Sequence, residues 1–64
     1  MRNVYVLYGS EDGLLGVYGS VKRAIKASYE YVGDGAHVDF NSEYYTNIQG
    51  DSGVSVDMYK EVLQ

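Results

Sequence analysis

The chain has 64 residues, nine acids against five bases for a net charge of −4, and neither cysteine nor proline. This composition excludes disulfides, thiolate metal sites and thiol redox chemistry. It also argues against general nucleic-acid binding, which depends on clustered Lys and Arg. A chain this short forms one domain, residues 1–64, and buries only about 60% of the surface its unfolded form exposes. With His37 the one histidine, zinc is a poor source of support, so self-association, for instance as a homodimer, is expected to help.

In chain order, residues 3–8, NVYVLY, are β-branched and aromatic and predict a strand. Residues 9–13, GSEDG, are a turn by composition. Residues 14–18, LLGVY, predict a second strand, completing a hairpin. The apolar run ends too early for the core of a secretory signal. No run approaches the roughly 20 residues that span a bilayer. A soluble, cytoplasmic protein with no membrane association is expected.

Ser20 is a good N-cap. From Val21 the apolar period becomes helical: Val21, Ala24, Ile25, Ser28 and Val32 share one face. Lys22, Arg23, Lys26 and Glu30 point the other way. Arg23 stands where a capping box would have an acid, and the helix macrodipole opposes bases in the first turn by a few tenths of a kcal/mol each. The three bases are either a solvated face or an alternative nucleic-acid-binding patch. Gly33-Asp34-Gly35 predicts the helix stop.

Gly13, Gly16 and Gly19 recur every third residue just before this helix. Neither the dinucleotide-binding nor the P-loop spacing is met. They read instead as a turn glycine, a strand glycine beneath a ring such as Tyr5 or Tyr18, and a pre-helix glycine.

Residues 36–40, AHVDF, are a short strand or a connector; residues 43–49, EYYTNIQ, predict a strand; residues 50–53, GDSG, predict a turn. Residues 54–62, VSVDMYKEV, alternate between apolar and polar. The order β-β-α-β-β predicts an α+β, two-layer domain: one antiparallel four-stranded sheet with a single helix on one face. The echo of VLYGS (6–10) in GVYGS (16–20) fits two arms of one hairpin better than a repeat.

Strand alternation then assigns Val4, Val6, Leu15, Val17, Ile48, Val54, Val56 and Met58 to the helix side. It leaves Tyr5, Leu7, Tyr18, Tyr45, Asn47, Asp57, Tyr59 and Glu61 on the opposite face. A one-residue slip would exchange the faces. Four tyrosines on an open face are either rings packed across strands or a contact surface. Tyrosine-rich sheet faces also stack single-stranded bases, but in a positive field. Here the neighbours are acids, which point to a basic protein surface. The candidate partner-binding set is Tyr5, Tyr18, Glu43, Tyr45, Asp51, Asp57, Tyr59 and Glu61.

Other chemistry is set aside. Glu11-Asp12 lies in a solvated turn rather than a cleft that would shift one carboxyl. Ser42, His37 and Asp39 form a set expected by chance. Asp51-Ser52-Gly53 lacks the remaining positions of a calcium loop. No enzyme activity, metal or cofactor is expected.

The segment YVLYGSEDGLLGVYGSVKRAIKA resembles the start of many small phage-encoded accessory proteins. The likeness lies in a short apolar strand, an acidic-glycine turn, a GVY strand, a Ser, and a helix with a small residue, here Ala24, near its start. It covers about the first half of the chain and brings no catalytic residue with it. Many such proteins bind and inhibit a host enzyme or defence complex, as anti-CRISPR and anti-restriction proteins do. The resemblance thus implies an inhibitor of a host nucleic-acid-handling system, acting in the cytoplasm of a bacterial host. Two alternatives are a nucleic-acid binder using Lys22, Arg23 and Lys26, and a self-assembling protein pairing through an edge strand such as 54–62.

Overall fold

The computed structural model of the protein describes residues 2–64. Strands β1 (Arg2–Gly9) and β2 (Gly13–Tyr18) form a hairpin, helix α1 (Val21–Val32) follows, and strands β3 (His37–Asn41), β4 (Tyr45–Gln49) and β5 (Ser55–Leu63) complete the chain. All neighbours are antiparallel in the order β2-β1-β5-β4-β3. The first and last strands therefore pair at the centre, from Arg2 opposite Leu63 to Gly9 opposite Val56. The hairpin tip is tied to the start of β5: the Ser10 N–H donates to the Ser55 carbonyl at 2.9 Å, and the Ser10 hydroxyl accepts from the Ser55 N–H at 3.0 Å.

The α+β class holds, but the sheet has five strands rather than four. The added strand is β3. Its register shifts between Val38 and Phe40, so Val38 stands opposite Ile48 while Phe40 stands opposite Asn47. This bulge puts the two apolar residues on opposite faces, so the alternation of AHVDF in the sequence does not become one apolar face in the strand. A second correction concerns the edges. Segment 54–62 is not an edge, because β5 lies between β1 and β4; the edges are β2 and β3, each with a register shift.

Helix α1 begins and ends as its sequence dictates. The Ser20 hydroxyl accepts from the Arg23 N–H at 3.1 Å. Gly33 closes the helix with φ 75° and ψ −137°, a conformation open to glycine, and its N–H donates to the Tyr29 carbonyl at 3.0 Å. Ala24, Ser28 and Val32 form the buried stripe, Ile25 is half-buried and Val21 is exposed. The buried Ser28 hydroxyl donates to the Ala24 carbonyl at 2.8 Å, which removes the cost of an unpaired polar group in the core.

The core joins Ala24 and Val32 to Leu7, Ile48, Val56 and Met58, with Tyr5, Leu15, Tyr18 and Val54 packed around them. This confirms the predicted side for Leu15, Ile48, Val54, Val56 and Met58. It reverses the prediction for most of the first hairpin. Leu7 is opposite Met58, and Tyr5 is opposite Tyr18; directly opposed residues share a face. Tyr5, Leu7 and Tyr18 thus face the helix, while Val4, Val6 and Val17 face away, Val4 being nonetheless buried. The reason is visible in VYVLY, which is apolar or aromatic at every position and so has no parity of its own. The expectation that a ring covers Gly16 holds for Tyr18: a Cβ on Gly16 would lie 3.2 Å from its Cε2. Among the described residues no helix is long and apolar enough to cross a membrane.

Candidate functional site

The face of the sheet away from α1 has no second layer among the described residues. Four rings cross it in a row, one from each of four strands. Tyr8 of β1 meets Tyr59 of β5 edge-on, with centroids 5.9 Å apart and planes at 75°. Tyr59 meets Tyr45 of β4 at 5.1 Å. Tyr45 meets Phe40 of β3 at 5.9 Å. The row follows from register: Tyr45 and Tyr59 are directly opposed, while Tyr8 and Phe40 each sit diagonally from the next ring. Tyr8, Phe40 and Tyr59 remain exposed at 43%, 54% and 39%, so these rings contact one another without being covered.

Beneath the rings runs a polar network. Asp57 Oδ1 accepts from the Tyr45 hydroxyl at 2.6 Å and from Asn47 Nδ2 at 2.9 Å. Gln49 Nε2 in turn donates to Asn47 Oδ1 at 2.6 Å. The hydrogen bond to the Asp57 carboxylate, together with burial and the negative charge, pushes the Tyr45 hydroxyl up from 10.0 to about 12. Every buried side-chain polar atom among the described residues has a partner. On the β1 side, Val6, Tyr8, Asp57, Tyr59 and Glu61 surround an open concavity of 540 Å³.

Of the candidate partner-binding residues, Tyr45, Asp57, Tyr59 and Glu61 come together on this face. Tyr5 and Tyr18 do not; they pack against the core under α1. Glu43 and Asp51 lie in the turns at opposite ends of β4. Glu43 borders, with Tyr5, Val21 and Lys60, a separate concavity of 330 Å³ at the helix start. Asp51 packs its carboxylate against Gly35, and its N–H donates to the Asp34 carbonyl at 3.0 Å. Sequence reasoning missed Tyr8 and Phe40. Tyr8 had no signal of its own in VYVLY; its face follows from the β1–β5 register, which sets it opposite Asp57. Phe40 shares parity with Val38 in AHVDF, and the bulge turns it to the other face.

Lys22, Arg23 and Lys26 are exposed on α1, in the layer opposite the aromatic row. His37 and Ser42 stand at opposite ends of β3. The His37 Nδ1 lies 2.7 Å from the Gly35 carbonyl, and the Ser42 hydroxyl donates to the Tyr45 carbonyl at 3.0 Å. Both are engaged in local turns rather than with each other. Among the described residues no three His, Cys, Asp or Glu side chains are grouped to hold a metal ion. Comparison with protein-family models, curated proteins and solved structures finds no match.

Proposed function

We propose that this protein works by binding another protein through the uncovered sheet face, rather than by catalysis, and that its partner is a host protein with a basic surface. In keeping with the phage-like opening of the sequence, the proposed outcome is inhibition of a nucleic-acid-handling or defence complex. The observation carrying this reading is the Tyr8–Tyr59–Tyr45–Phe40 row flanked by Asp57 and Glu61. Aromatic rings with polar tips supply contact area at low entropic cost and are enriched at protein interfaces. The flanking carboxylates select a cationic partner and repel phosphate.

Capture from nuclease-treated bacterial lysate tests this with three baits: the parent chain, Asp57→Lys/Glu61→Lys, and Lys22→Glu/Arg23→Glu/Lys26→Glu. A host protein retained by the first and third baits and lost by the second is the expected result. Retention by the second and loss by the third would instead favour the helix patch. The nucleic-acid alternative predicts a gel shift that weakens steeply with salt; no shift at low salt ends it.

A further inference from the structure

The concavity on this face has a composition and shape that name the group it would hold. Tyr8 and Tyr59 stand edge to face at 75°, forming two walls of a corner. Val6 forms an apolar floor, and Asp57 and Glu61 complete the lining. Asp57 is held in place: its Oδ1 takes both the Tyr45 hydroxyl and the Asn47 amide, and no hydrogen bond among the described residues uses Oδ2. Glu61 is exposed and opposes Val4 across the β1–β5 pair. Lys60, the base nearest in sequence, is paired with Tyr5 on the other face and lies 5.9 Å over the Tyr44 ring. Arg2 shares the outward face of β1 with Val6 and Tyr8; opposite Leu63, it stands diagonal to Glu61 but does not line the recess. The recess thus has two carboxylates, two ring faces and no cation among its lining residues.

We propose that this recess is a receptor for one arginine side chain of the partner. The guanidinium would stack on a tyrosine ring while its N–H groups donate to Asp57 Oδ2 and the Glu61 carboxylate. A planar, weakly hydrated guanidinium suits both demands at once. A lysine ammonium, compact and strongly hydrated, meets the charge but stacks poorly. A volume of 540 Å³ accommodates such a side chain with its aliphatic stem against Val6. The inference rests on the sheet face being the docking surface, and it narrows the partner to one that presents an exposed arginine.

The test is an NMR titration of the labelled chain with blocked tetra-arginine, tetra-lysine and tetra-glutamine peptides. The expected result is saturable shifts at Val6, Tyr8, Asp57, Tyr59 and Glu61 with tetra-arginine. Tetra-lysine should bind about two- to fivefold more weakly, and tetra-glutamine should not bind. Asp57→Asn and Glu61→Gln, each checked for a native spectrum, should each weaken tetra-arginine by up to about fivefold. Tyr59→Leu, which keeps an apolar wall but removes the π-face, should abolish the preference for arginine over lysine. Equal affinity for the two basic peptides overturns the arginine receptor. So does parent-level affinity in both carboxamide variants, or shifts confined to other acidic positions. If the lysate capture is still lost in Asp57→Lys/Glu61→Lys, the docking face itself stands. If that capture is unaffected, the docking face fails as well.

Discussion

Asp57 organises the open face at the scale of single residues. One of its oxygens holds both Tyr45 and Asn47, and the same contact keeps the Tyr45 proton in place up to about 12. Above the ordinary value of 10.0 the unfolded chain gives up this proton while the folded chain retains it. Stability is therefore level on this account below 10.0 and falls as the pH rises from there to about 12. Ring-carbon NMR should find Tyr45 titrating near the upper value, and Asp57→Asn should bring it back toward the ordinary one. A Tyr45 that titrates unchanged in the variant would remove Asp57 as the cause. The buried Leu7 gives a second residue-scale test. Leu7→Ala should cost about 2–5 kcal/mol in urea denaturation, whereas Val6→Ala, on the half-exposed floor of the recess, should cost about 1 kcal/mol or less. The reverse ranking would put β1 in the opposite register.

The helix and the β5 strand were legible in the sequence as elements because their patterns are unambiguous. Val21, Ala24, Ile25, Ser28 and Val32 keep a helical period between a Ser cap and a Gly stop, and 54–62 alternates cleanly. Strand β1 was legible as a strand but not in its orientation, since VYVLY has no polar position to mark a face. Strand β3 was ambiguous because it is short, and its bulge sends Val38 and Phe40, which share parity in AHVDF, to opposite faces. Of the candidate contact residues, those on β4 and β5 were placed correctly, while Tyr5 and Tyr18 went to the wrong face with β1 and β2. The elements should also differ in local stability. All five residues of β3 are exposed and the strand has a neighbour on one side only, so its amides should exchange with solvent faster than those of the central strands β1 and β5. Equal protection would mean that something else covers this edge. At the helix end, Gly33→Ala should cost about 1–3 kcal/mol, because an alanine must adopt φ 75° there; an unchanged denaturation midpoint would contradict that cap geometry.

At the scale of the molecule, the two layers present opposite chemistry. The helix layer carries Lys22, Arg23 and Lys26; the sheet's outer face carries the aromatic row with Asp57 and Glu61. The pairing of β1 with β5 joins the first hairpin to the second half of the chain, and it also assembles the recess, since Val6 and Tyr8 come from one strand and Asp57, Tyr59 and Glu61 from the other. Fold and proposed site therefore depend on the same central pair. The two edges each carry a register shift, a feature that discourages sheet extension, so docking on the face is favoured over pairing at an edge. Hydrogen–deuterium exchange of the chain with and without its captured partner tests the docking face most directly. The expected footprint is slowed exchange in β1 around Val6–Tyr8 and in β5 around Asp57–Glu61, with the start of α1 unchanged. Protection confined to α1 around Lys22–Lys26, or to the edge strands β2 and β3, would contradict it.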